Sequence, residues 1–184
     1  MKAIEIMMNE HRVIERLIIV VRQICKGIMN GEPICYEDFE KIIDFIRVYS
    51  DEHHHGKEEK CLFNQMLVHL GALGEKLIKG GMLVEHDLGR LYVKDLEEAL
   101  ERVKAGDEES KLDVIANAIS YTHLLTRHIA KEDELIYPFA LNKLPQEIVE
   151  EVNKACLAFE QEAAQKGVQD SYLEVLGKLE EKYK

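Results

Sequence analysis

Apolar residues recur at three- and four-residue intervals along most of the chain, the spacing that lines one face of an α-helix, and only three prolines interrupt it. From about residue 2 to 29, Ile4, Met7, His11, Ile14, Ile18, Val21 and Cys25 form one stripe, which sets an imidazole in the middle of an apolar face. Asn30-Gly31-Glu32-Pro33 closes that helix. Glu37 or Asp38 starts a second helix, which carries Phe39, Ile42, Ile43 and Ile46 toward His54 and on to about His69. The four glycines from Gly71 to Gly81 predict a turn or a short, loosely held helix. A third helix covers roughly 82 to 105 and ends at Gly106. A fourth covers about 109 to 141, with Pro138 bending or ending its last turn.

Four long helices joined by short connections describe an all-α fold, an up-down-up-down four-helix bundle over residues 1–143. After Leu144 come two extra C-terminal helices, residues 144–184. The first is led by Pro145 and places Ile148, Val152, Cys156, Phe159 and Ala163 on one side; the second carries Tyr172, Val175, Leu176 and Leu179. Their apolar surface is too small for an independent domain, so they are expected to pack on the bundle, in a monomer or weak homodimer.

Composition narrows the partners. Apolar residues make up 46% of the 184, ample for one core, and 24 Lys and Arg against 35 Asp and Glu leave a formal charge of −11. Such a surface repels phosphate backbones and anionic bilayers, which argues against nucleic acid and membrane partners. The N-terminal residues lack a long apolar core, and no later run approaches the roughly 20 apolar residues of a bilayer span; the expected location is cytoplasmic. Cys25, Cys35, Cys61 and Cys156 form no C-x-x-C pair, so neither a zinc knuckle nor a disulfide framework is expected. Glycine-rich phosphate loops and serine-nucleophile motifs are absent from the sequence.

Two stretches repeat one pattern. His54-His55-Gly56-Lys57-Glu58-Glu59 aligns with His128-Ile129-Ala130-Lys131-Glu132-Asp133, and upstream Glu10-His11 answers Glu85-His86. Each half therefore reads His, a gap of just over forty residues, then His-x-x-x-Glu. Residues four apart on a helix project from one face, and an ionised carboxylate facing a core is costly unless a cation or hydrogen bonds compensate it. A metal supplies that cation. His11, His54, Glu58, His86, His128 and Glu132 are the candidate ligands. His55 aligns with Ile129, which cannot ligate, so the repeat selects His54 with Glu58. His53 lies to one side as an outer or interhelical residue, while His69 and His123 are expected at the surface. Glu15, Tyr121 and His123 are the candidates for any fifth protein ligand, the first two ahead of His123 on facing. Imidazole and carboxylate donors without thiolate favour iron or manganese over structural zinc.

In these residues the sequence resembles the hemerythrin-like (HHE cation-binding) family, whose motif is an early His followed by His-x-x-x-Glu, repeated. The likeness covers about residues 4 to 142. It implies a non-haem di-iron centre, two iron ions bridged by Glu58, Glu132 and an oxo or hydroxo group. Oxygen-carrying members use five histidines, with a His-x-x-x-His pair on the third helix, whereas here Arg90 stands four residues after His86. The function expected is binding of O2, NO or a related small diatomic or peroxide, as sensor, scavenger or store. The alternatives are a di-iron redox enzyme reducing peroxide or nitric oxide, and an iron-handling or iron-sensing protein.

Overall fold

The computed structural model describes all of residues 1–184 and contains no strand. Six helices follow one another: α1 (Lys2–Met29), α2 (residues 36–69), α3 (residues 71–104), α4 (residues 111–143), α5 (Gln146–Gln165) and α6 (Val168–Lys182). None is long and apolar enough to cross a membrane.

The apolar stripes gather into two separate clusters. On α1, Ala3, Ile4 and Met7 belong to the smaller cluster, and Ile14 to Cys25 belong to the larger. On α2 the order is reversed, from Phe39–Tyr49 in the larger to Cys61–Met66 in the smaller. It reverses again on α3 (Ile78 and Met82, then Val93 to Val103) and on α4 (Val114 to Ile129, then Ile136 to Ala140). The chain thus passes between the clusters four times in alternating directions. Each passage carries a histidine between them: His11, His54 with His55, His86 and His128.

Residues 71–81 are helical rather than a turn. Gly71 alone takes a positive φ, +57°, where L side chains are strained, and makes the corner between α2 and α3. The following glycines stay in helical backbone, because Ile78 and Met82 anchor that segment in the smaller cluster. Pro138 does not end α4. It follows a stretch of wide, π-type turns at Glu132–Ile136, and the helix runs on to Lys143. Similar wide turns occupy Ile46–His55 and Glu58–Phe63 of α2, so both His-x-x-x-Glu repeats coincide with departures from α geometry.

The C-terminal helices lie against α1 and α2. Ile148, Val149, Val152 and Cys156 of α5 enter the smaller cluster, and Leu176 and Leu179 of α6 enter the larger. Polar contacts pin them in place: Arg16 pairs bidentately with Glu180 at 2.8 and 2.7 Å, and Tyr172 Oη donates to Asp44 at 2.7 Å. A chain ending at Leu144 would uncover those six side chains' partners, each burial being worth about 1.5–3 kcal/mol. Its thermal midpoint, read by circular dichroism, should fall by about 10 °C or more. An unchanged midpoint would show the two helices to be accessories.

Candidate metal centre

All six histidines and glutamates singled out by the internal repeat meet in the layer between the two apolar clusters, and all are buried. They form two nests that share Glu58. One comprises His11, His54, Glu58 and Glu132; the other comprises His55, Glu58, His86 and His128. In each, one donor atom per residue lies within 4.8 Å of all the others. Within the first, His11 Nε2 is 3.2 Å from Glu132 Oε2 and His54 Nε2 is 3.7 Å from Glu58 Oε2. Within the second, His86 Nε2 is 3.1 Å from His128 Nε2 and 3.5 Å from Glu58 Oε2. Glu132 reaches both, since its Oε1 is 3.2 Å from His128 Nε2.

Every one of the five histidines turns Nδ1 outward and donates to a carboxylate. His11 donates to Asp133 at 2.7 Å, His54 to Glu10 at 2.8 Å, His55 to Asp51 at 3.1 Å, His86 to Glu59 at 2.7 Å and His128 to Glu85 at 2.9 Å. That bond fixes the tautomer and presents Nε2 inward, with its lone pair free in the neutral ring. The repeat extends to these supports. Glu10 and Glu85, each one residue before an early His, hold the later His of their own half; Glu59 and Asp133, each one residue after a core Glu, hold the early His of the other half. Lys57 and Lys131 pair with Glu10 and Glu85 in the same symmetric way. Lys57 alone is fully buried, because Glu160 of α5 covers it and supplies a second carboxylate.

Charge is unevenly held. Burial, reinforced by the neighbouring Glu132, raises Glu58 well above the usual carboxylate range. Burial also opposes ionisation of Glu132, but His128 and His11 outweigh it and hold that group well below its ordinary value. For His11 and His128, burial favours the neutral ring, yet the facing carboxylates prevail and raise them to about 9 and about 10. His54 is depressed to about 4 by burial and by the nearby His11, and His55 is driven well below its usual value by burial and His86. Tyr137 Oη donates to Glu58 at 2.5 Å and lies 3.4 Å from His11 Nε2.

Buried at the centre, Nε2 of His54 and of His55 and Oε2 of Glu58 have no hydrogen-bond partner, and neither oxygen of Glu132 makes a well-aligned one. Orphaned acceptors buried together are costly. Their chemistry, imidazole nitrogen and carboxylate oxygen converging on two points, is that of a divalent or trivalent cation site. The donor set fits a metal pair.

Two expectations from sequence need correction. His55 faces inward and joins a nest, whereas the repeat, which aligns it with Ile129, selects His54 with Glu58 and leaves His55 out of the ligand set. Wide turns advance by less than 100° per residue, so consecutive side chains diverge less and His53, His54 and His55 are all buried. Asp51, four residues before His55, was the available signal, since it supplies the carboxylate its Nδ1 requires. The proposed fifth-ligand candidates are not in either nest: Glu15 pairs with Arg12 at 3.2 Å, His123 is exposed beside Arg22, and Tyr121 packs in the larger cluster with its phenol beside Ser50. His69 is exposed, as expected, and His53 donates to Glu10 at 3.0 Å as an outer residue. Tyr137 was missed; the signal was its mismatch with Phe63 in the repeat. Arg90, standing where a fifth histidine was sought, binds Asp51 and Glu59 at 2.7 and 2.9 Å and so braces the supports of His55 and His86.

His55→Ala should therefore weaken the second nest about as much as His128→Ala, while His123→Ala leaves metal content unchanged. Metal per chain after dialysis is the measure; full retention in His55→Ala would place that ring outside the ligand set.

The family model described as "Hemerythrin HHE cation binding domain" matches residues 2–140. No curated protein and no solved structure matches the chain.

Proposed function

The chain belongs to the hemerythrin HHE cation-binding family, and on that premise we propose that it carries two iron ions inside an up-down-up-down bundle of α1–α4. His11 and His54 would hold one ion and His55, His86 and His128 the other, with Glu58 and Glu132 reaching both. The observation that carries this reading is the set of five inward Nε2 atoms, each backed by its own carboxylate, around two shared glutamates. Iron bound there would supply affinity and redox chemistry toward O2, NO or peroxide that no side chain of this chain offers. The protein's own contribution is positioning: outer carboxylates orient the rings, and apolar clusters above and below exclude bulk water.

Binding of a small diatomic, for sensing, scavenging or storage, is the preferred use of the centre. The enzyme alternative was motivated by a missing fifth histidine, and His55 stands where it can fill that place. Tyr137 favours the second reading, reduction of peroxide or nitric oxide, because its hydroxyl holds a proton against Glu58 beside the nest with fewer imidazoles. Protein purified from iron-replete cells should contain close to two irons per chain, and anaerobic spectra should change on adding oxygen. A folded product free of metal under those conditions overturns the proposal. A stable, reversible oxygen adduct without peroxide consumption removes the enzyme reading.

A further inference from the structure

A chamber of about 150 Å³ borders the second nest at His55 and His86 and shares no lining residue with the first nest. Ile46 and Val93 give it apolar walls, and the stacked rings of His55 and His86, 3.8 Å apart, form another wall. Two hydroxyls face it. Ser50 is fully buried and Tyr121 is 3% exposed, and the Tyr121 phenol lies beside Ser50, yet neither oxygen has a hydrogen-bond partner of good geometry. Buried hydroxyls left unmatched inside a protein destabilise it unless a bound molecule satisfies them.

We propose that this chamber is a binding site for a small neutral hydroxylic molecule, of the size and chemistry of hydrogen peroxide, held between Tyr121 and Ser50. At about 150 Å³ the space is well below that of a drug-sized pocket, which favours a small occupant. An anion is disfavoured, because the two cations at the mouth are already neutralised. Arg47 donates to Glu97 at 2.9 and 2.7 Å, and Arg90 donates to Asp51 at 3.0, 3.0 and 2.7 Å. A gas molecule such as O2 is disfavoured for the opposite reason, since it would leave both hydroxyls unsatisfied. A molecule with an O–H group and lone pairs on adjacent heavy atoms can accept from one hydroxyl and donate to the other. It would rest against the rings of two candidate ligands, so the chamber would bring such a molecule to the edge of the metal centre.

The site can be tested apart from the identity of the native metal. Zinc-substituted protein is diamagnetic and inert to redox, so its amide spectrum can be titrated with hydrogen peroxide and, as an unreactive molecule of like size, methanol. Saturable shifts confined to the surroundings of Ser50, Gly89 and Tyr121 are expected. Tyr121→Phe and Ser50→Ala keep the shape of the walls, and each should weaken binding by about fivefold, the worth of one hydrogen bond; the double variant should abolish saturation. Linear, dispersed shifts in the wild type, or binding unchanged in the double variant, would overturn the proposal. Iron content, measured separately, decides the metal centre without bearing on this result.

Discussion

Glu58→Ala is expected to lose most of its bound metal, and Glu132→Ala likewise, because each carboxylate faces both nests. Removing a shared ligand takes a donor from two ions at once and also removes the negative charge that makes their proximity tolerable. Glu59→Ala and Asp133→Ala act one bond further out. They free Nδ1 of His86 and of His11 without deleting any inward atom, so affinity should drop about 10- to 100-fold while saturating metal still fills the centre. Equilibrium dialysis against a competing chelator separates the two classes. Equal loss in all four variants would show that the inward and outward assignments of these neighbouring acids are wrong.

Loading the centre at pH 7 should release at least two protons per chain. His11 and His128 each hold one in the metal-free protein, raised to about 9 and about 10, and Glu58, shifted upward by burial, adds to that release. Ligation requires these protons to be given up. His54 and His55 are depressed and Glu132 is held ionised, so they add none. The sign follows from the directions. Between pH 6 and 8 both rings remain protonated without metal, so the overall two-ion affinity should rise by at least about a hundredfold per pH unit. The slope should ease as pH climbs past about 9, where His11 begins to lose its proton on its own. Calorimetric titration in two buffers of different ionisation enthalpy counts the protons; a count near zero would mean that the nests are already deprotonated and that the carboxylate supports do not hold charge on the rings.

Much of this was legible in the chain itself. Apolar periodicity located the helices, since a 3.6-residue repeat is a property of local geometry alone. The doubled His-x-x-x-Glu, with its early histidines, identified six residues that do meet in one buried layer, because a repeat constrains two halves to the same spatial answer. It even contained the supports, for Glu10, Glu59, Glu85 and Asp133 are the residues adjoining the repeated ligands, although their roles show only when the halves face one another.

What the tertiary structure decided was everything that breaks the repeat or depends on an ideal helix. An assumed 100° per residue cannot reveal turns that widen at Ile46–His55 and Glu132–Ile136, and with them the inward facing of His55. Packing of α3 on the smaller cluster overrode the glycines of 71–81. The burial of Lys57 under Glu160 depends on two segments separated by more than a hundred residues. Arg90 reads in sequence as a missing ligand, and only its contacts with Asp51 and Glu59 make it a brace. Local pattern fixes which face of a helix is apolar; which side chains share a point in space is set by how the helices pack, and hydrogen bonds between distant segments follow from that packing.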